Sequence, residues 1–282
     1  MRIGFVGAGL MGAHMVRNLA AAGFEVRLYA RTPSRAEGLP AEIAGSVREA
    51  AEGAEAFCSI VTDSPDVRDV VTEALTADDP PELFIDMSTI SPAVAKELAH
   101  LATRAGSDYL DAPVSGGPPG AEAGTLAFMV GGEPAAFAHA IPIFDALGDP
   151  AKRTHCGPVG TGLVAKLVNN LLVASIAAST AEALGVGQQA GVPAERLREV
   201  VMASSGASWQ LENLFPRVLA GDHAPGFRAR DLRKDLRHAR NLADRDLPIA
   251  DVAAALYEDL PDDADYGAVA RKFLELPGTD PA

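Results

Sequence analysis

Short apolar runs alternate with helix-length amphipathic segments through the first half of the chain, and helical periodicity alone continues beyond about residue 160. An apolar run ending at Val6 and the runs Glu25–Tyr29, Ala56–Val61, Leu83–Asp86, Asp108–Ala112 and Leu126–Val130 predict buried strands. Helix starts are marked between them. Ser46-x-x-Glu49 forms a capping box, and Thr32-Pro33, Ser64-Pro65 and Ser91-Pro92 each set a hydroxyl before a proline suited to a first helical turn. Alternating strands and helices predict a mostly parallel sheet covered by helices on both faces. After Gly160-x-Gly162 a long apolar helix is expected to about Gly187–Gly191, followed by helical segments Pro193–Ala203, Trp209–Ala220, Asp231–Asp244, Ile249–Asp259 and Ala264–Leu274. The expected fold class is therefore α/β: an N-terminal domain over residues 1–160, joined by the long helix to an all-α C-terminal domain over residues 161–282, with Gly278 to Ala282 frayed.

The long helix is apolar on nearly all sides, which demands burial within its own domain or against another subunit, so a homodimer or homotetramer is expected. Its run from Leu163 to Val186 carries Lys166, Asn169, Asn170 and Glu182, and reads as too polar for a membrane span. A net charge of −14 argues against nucleic acid and anionic membranes as partners. An anionic small molecule would have to be attracted by local groups against that overall field. Cys58 and Cys156 have no metal-ligand spacing and read as reduced thiols of a cytoplasmic protein.

Candidate chemistry starts at the first strand, which runs into Gly7-Ala8-Gly9-Leu10-Met11-Gly12 and then a helix. This is the dinucleotide fingerprint in its proper context: Gly7 for the tight turn, Gly9 for close approach of a pyrophosphate, and Gly12 for packing of helix on strand. The end of the second strand selects the cofactor. It reads Tyr29-Ala30-Arg31-Thr32, with no carboxylate to accept a ribose 2′-hydroxyl; Arg31 can pair with a 2′-phosphate and Thr32 can donate to it. NADP(H) is thus preferred, with NAD(H) possible.

Three later motifs follow. In Asp111-Ala112-Pro113-Val114-Ser115-Gly116-Gly117 a strand ends in a loop of small residues whose amides can hold a carboxylate, with the Ser115 hydroxyl as a further donor. An ordinary turn would read the same. Lys166, Asn169 and Asn170 project from one side of the long helix, where three polar groups among apolar ones need partners. Phe227 precedes Asp231-Leu232-Arg233-Lys234-Asp235-Leu236, in isolation a charged helix start. Trp209, Leu211, Phe227 and Pro118-Pro119 are candidates for shaping a pocket, with core packing the simpler role for Trp209.

Taken in order, Gly4-Phe5-Val6-Gly7-Ala8-Gly9-Leu10-Met11-Gly12, Asp86-Met87-Ser88-Thr89, Asp111 to Gly117, Gly160-x-Gly162-x-x-x-Lys166-x-x-Asn169-Asn170 and Lys234-Asp235-Leu236 resemble the β-hydroxyacid dehydrogenase family. That group includes 3-hydroxyisobutyrate dehydrogenases, tartronate semialdehyde reductases and glyoxylate/succinic semialdehyde reductases. The resemblance covers nearly the whole chain. It implies a Rossmann-type N-terminal domain and a cofactor held by Gly7, Ala8, Gly9, Leu10, Met11, Arg31, Thr32, Val61, Thr62, Asp63, Thr89 and Lys234. It further implies a small anionic 3-hydroxy acid or semialdehyde bound by Ser115, Gly116, Gly117, Asn170 and Phe227, with Lys166 as general acid/base. Ala30 departs from the asparagine common before the Arg-Thr pair. Two rivals stay open: an imine reductase of the same architecture, whose members generally lack the lysine, and a non-catalytic dinucleotide-binding protein.

Overall fold

Strands β1 (Arg2–Val6), β2 (Glu25–Tyr29), β3 (Glu42–Ile43), β4 (Ala56–Ser59), β5 (Leu83–Asp86), β6 (Asp108–Asp111), β7 (Val114–Ser115), β8 (Leu126–Gly131) and β9 (Gly148–Gly157) make one nine-stranded sheet. Its order is β3-β2-β1-β4-β5-β6-β8-β7, with β9 along β8. Pairing is parallel from β3 to β6, antiparallel where β8 meets β6 and β7, and parallel again between β8 and β9. The structure is a computed structural model describing residues 1–222 and 224–276. The fraying expected at 278–282 lies outside the described residues. The chain divides into two compact units, Met1–Lys166 and Leu167–Ala282.

Within the first unit the period-2 alternation of strand side chains builds two separate cores. Ile3, Phe5, Ala56, Cys58, Leu83, Ile85 and Leu110 point to one face, against Met15, Val16 and Leu19 of α1 (Gly12–Ala21) and Ile143, Phe144 and Leu147 of α6 (Pro134–Leu147). Val6, Phe57, Phe84 and Tyr109 point to the other, against α2 (Val47–Ala51), α3 (Ser64–Ala74) and α4 (Pro92–Arg104). Both faces of the strands are buried, so they read as continuous apolar runs.

Several expectations need correction. The capping box at α2 forms: the Glu49 amide donates to Ser46 Oγ at 3.0 Å, but the Glu49 carboxylate reaches the Gly45 amide, at 2.7 Å. The hydroxyls of Thr32 and Ser91 make no capping bond, and Thr32 fronts only a short 3₁₀ turn, Pro33–Arg35. At α3 the cap is Asp63, which accepts from the Ser64 amide at 2.7 Å. A carboxylate at the N-cap also suits the helix dipole. β9 shows no alternation of apolar residues because it pairs with β8 alone among the described residues and carries Asp149, Pro150, Lys152 and Arg153 as a charged edge.

The helices of the second unit pack on the latter part of α7 (Thr161–Gln189). Ala174, Ala177, Ala178, Ala181 and Leu184 join a core with Leu211, Leu214, Phe215, Val218, Leu232, Leu236 and Tyr257. The contributing elements include α8 (Ala194–Met202), α9 (Phe215–Leu219), α10 (Ala229–Arg240) and α11 (Pro248–Glu258). Two segments predicted as α-helix are wound differently: Gln210–Leu214 is a π turn, and Tyr266–Lys272 is 3₁₀. By length and composition alone α7 passes as a membrane-crossing helix, with mean hydropathy 1.5 over its most apolar window, 39% of it buried. Its alanines, leucines and valines outweigh the polar residues expected to exclude it. Val168, Leu172 and Val186 stand exposed on it.

Candidate active site

The turn after β1 takes the course the glycines require. Gly7 has φ of +111°, and a Cβ there would lie 2.1 Å from the Ile60 carbonyl oxygen. A Cβ on Gly12 would meet the Gly7 carbonyl oxygen at 1.8 Å, so the first turn of α1 lies against the turn backbone itself. Gly9 differs: a Cβ there would meet nothing within 4 Å. Open space at Gly9, beside the N-terminal amides of α1, fits a pyrophosphate. Ala8 is buried, Met11 half-buried and Leu10 exposed. The turn lies where β1 is flanked by β2 on one side and β4 on the other, which is the switch point at which open parallel sheets bind ligands.

Val61, Thr62, Asp63 and Thr89 fall in the loops that follow β4 and β5, and a buried carboxylate ties those loops together. Asp86, at the end of β5, accepts through Oδ1 from Ser59 Oγ at 2.8 Å, Ser88 Oγ at 2.7 Å and the Ser88 amide at 3.2 Å. Ser88 Oγ in turn accepts from the Val61 amide at 2.9 Å, and Ser64 Oγ accepts from the Ser91 amide at 3.2 Å. Tyr109 donates to the other carboxylate oxygen at 3.4 Å. Burial pushes the Asp86 carboxyl up to about 6, against the lowering effect of these donors.

Asp111, the register partner of Asp86 on the adjacent strand β6, is fully buried and does comparable work for the next element. Its Oδ1 accepts from the Gly160 amide at 2.7 Å and its Oδ2 from the Leu163 amide at 2.8 Å. One carboxylate thereby satisfies two main-chain donors at the start of α7, where the helix dipole favours negative charge. Burial raises this carboxyl to about 6 as well, with the neighbouring Asp86 charge adding to the shift. Lys166, half-buried, sits three residues beyond Leu163, so it projects from the same side of the helix one turn on. Gly116 and Gly117 have φ of +135° and +61°, and the second of them opens α5 (Gly117–Ala123). Ser115 is the last residue of β7, half-buried, and pairs with Ala127.

Arg31 does not stand alone at the end of β2. Its Nη1 pairs with Asp66 Oδ1 at 3.0 Å. Thr32 is exposed beside it.

In the second unit Asn170 is almost wholly buried. Its Nδ2 donates to Asp235 Oδ2 at 2.6 Å and its Oδ1 accepts from Asn169 Nδ2 at 3.0 Å. Lys234 Nζ lies 3.3 Å from Asp235 Oδ1. One carboxylate thus brings together two residues named separately from the sequence. Phe227 is half-buried, its ring edge-on to Tyr266 with centroids 5.8 Å apart. Asp86, Asp111, Ser88, Asp66 and Asp235 carry no role in the sequence reading, although all but Asp66 lie inside the quoted motifs. For Asp86 and Asp111 the signal is a carboxylate ending an otherwise apolar strand, and for Asp66 an acid in a helix's first turn; Ser88, in the loop after β5, and Asp235, in mid-helix, have none of that kind.

A glycine turn of this geometry, at the switch point of a mostly parallel sheet, defines a Rossmann-type dinucleotide-binding domain. Residues 2–160 match the family described as the NAD-binding domain of 6-phosphogluconate dehydrogenase, and residues 160–272 that described as the NAD-binding domain of NADP-dependent 3-hydroxyisobutyrate dehydrogenase. The chain is 38% identical to an NAD-dependent L-serine dehydrogenase of Pseudomonas aeruginosa, over 91% of each. It is 39% identical to a 3-hydroxyisobutyrate dehydrogenase of the same organism, over 83% of this chain and 82% of the relative. Among solved structures, Mycobacterium tuberculosis 3-hydroxyisobutyrate dehydrogenase with L-serine superposes with a TM-score of 0.89 at 34% identity, covering 96% of this chain and 98% of that one. This chain belongs to the β-hydroxyacid dehydrogenase family.

Proposed function

We propose that this chain catalyses reversible hydride transfer between NADP(H), preferred over NAD(H), and the alcohol carbon of a small 3-hydroxy acid, with Lys166 as general acid/base. Relatives named for L-serine and 3-hydroxyisobutyrate, both 3-hydroxy acids, support that substrate class. The observation that carries the reading is the placement of Lys166 on α7, one turn past amides held by a buried carboxylate and one turn before Asn170, whose amide is itself anchored. The nicotinamide, when bound, accepts or supplies the hydride.

The protein's own residues bind, orient and move a proton. Gly7 to Met11, Val61, Thr62, Asp63, Thr89 and Lys234 hold the cofactor, with Arg31 and Thr32 at the 2′-phosphate. Ser115, Gly116 and Gly117 hold the substrate carboxylate, Phe227 borders it and Asn170 orients it, which is chiefly a positioning effect. In oxidation the neutral Lys166 amine takes the hydroxyl proton at Nζ; in reduction the ammonium returns it to the forming alkoxide. The nucleotide-binding domain is assigned to residues 1–160 and the helical domain to 161–282, close to the compact units that divide between Lys166 and Leu167. The exposed Val168, Leu172 and Val186 on α7 favour a homodimer or homotetramer, which light scattering at micromolar concentration tests.

The first experiment follows absorbance at 340 nm with 3-hydroxyisobutyrate, L-serine, glyoxylate and the succinic, methylmalonate and tartronate semialdehydes, with NADP(H) and NAD(H) in parallel. Turnover of one hydroxy acid or its oxo partner is expected. Cofactor binding without turnover on any of them overturns the reading in favour of an imine substrate or a non-catalytic role.

A further inference from the structure

We propose that Asp66 is a cofactor-specificity residue: its carboxylate competes with a 2′-phosphate for Arg31 and, in its place, offers an acceptor to the 2′-hydroxyl of NAD. The inference rests on the assignment of Arg31 to the 2′-phosphate. In enzymes selective for NAD an acid at the end of the second strand accepts the ribose hydroxyl and repels a phosphate. This chain has Tyr29-Ala30-Arg31 there, and the sequence alone therefore argues for NADP. The structure brings a carboxylate to the tip of the Arg31 side chain from another element. Asp66 lies in the first turn of α3, after β4, and β4 and β2 flank β1 on opposite sides.

The two partners are unequal. The Arg31 side chain is 81% exposed and that of Asp66 30% exposed. Asp66 stands on a helix start pinned by the Asp63 cap and by Val67 and Val70 in the core. The carboxylate is the fixed member and the guanidinium the mobile one. With Asp66 Oδ1 on Arg31, its second oxygen can accept from a hydroxyl, and the net charge of the pair is zero. A phosphate arriving there must draw Arg31 away from Asp66 and then sit near an unneutralised carboxylate. Asp66 thus penalises NADP without preventing its binding, and the chain accepts either cofactor.

The test is binding without substrate: titration of NADPH and NADH by cofactor fluorescence, and of 2′,5′-ADP by calorimetry, on wild type, Asp66→Asn, Arg31→Ala and the double variant. Asp66→Asn is expected to tighten NADPH and 2′,5′-ADP by about two- to fivefold, the scale of a partly exposed ion pair, and to leave NADH unchanged or slightly weaker. The gain should shrink in high salt and in the Arg31→Ala background. Equal shifts for both cofactors, or no shift, overturn the role of Asp66. If Arg31→Ala weakens NADPH no more than NADH, the 2′-phosphate assignment itself falls. If it weakens NADPH selectively while Asp66→Asn does nothing, only the present inference falls.

Discussion

Asp111 in the first unit and Asp235 in the second are both buried carboxylates that hold a part of α7, yet they hold different kinds of group. Asp111 grips main chain, the amides of Gly160 and Leu163. Asp235 grips side chains, the amide of Asn170 and the ammonium of Lys234. A main-chain amide cannot rotate away or be substituted, so the first grip fixes where the helix begins whatever side chains it bears. The second depends on two particular side chains, each with its own freedom. Within the nucleotide-binding unit the grip sets backbone position, and within the helical unit it sets side-chain orientation.

If both grips serve Lys166, its removal should cost activity and not stability. Lys166→Met is expected to lower turnover by ~100-fold or more while NADPH still binds and the melting temperature moves little. Retained turnover in this variant, followed at 340 nm, would separate the anchors from the chemistry and remove the reason to compare them.

The anchors themselves should respond in the opposite sense. Asp111→Ala orphans two buried amides, at a cost of about 1–3 kcal/mol each; urea denaturation reads the loss. Asn is a poor substitute at 111, because its NH₂ must face one of the two main-chain donors. At 235 Asn keeps an oxygen for Asn170, and the lysine can swing its ammonium aside. Asp235→Asn should therefore be milder, about 1–2 kcal/mol, with a raised Michaelis constant for the cofactor through Lys234. Equal damage from Asn at both positions would show that the distinction between main-chain and side-chain grips has no energetic content.

The same distinction explains what the sequence discloses. Gly7 and Gly12 are legible because backbone oxygens 2.1 Å and 1.8 Å from where their Cβ atoms would sit exclude every other residue, and Gly9 because its open side leaves room for a ligand, so spacing and geometry carry the same information. The central parallel strands are legible because both faces are buried. Edge strand β9 escapes notice because half of it faces away from any core and its charges mimic a loop. Asn170 and Lys234 are visible as motif members, but the carboxylate joining them is separated from Asn170 by 65 positions, and no periodicity links them. Asp66 is the clearest gap: β2 ends without an acid, and one reaches Arg31 from α3, 35 positions further along the chain.

Asp86 offers the finest test, because it shares the burial of Asp111 but holds loops through hydroxyls as well as an amide. Its carboxyl titrates near 6 in the folded protein, against a usual value of 3.8. A raised folded value means that the ionised form is penalised by folding. Stability from this group is complete below about pH 4 and is lost as pH rises through 6, when the buried carboxylate must carry its charge. Asp86→Asn abolishes the penalty and can preserve the contacts: the amide oxygen accepts from Ser59 and Ser88, and the NH₂ meets a Tyr109 hydroxyl free to rotate into an acceptor. The variant should exceed wild type by about 1–2 kcal/mol at pH 8, with the difference closing toward pH 4. Part of the gain comes through Asp111, whose own carboxyl is relieved of a neighbouring charge, so Asp86→Asn should gain less when introduced into an Asp111→Ala background than when introduced into the wild type. A difference that does not change with pH would mean that hydrogen bonding, and not buried charge, governs this end of the sheet.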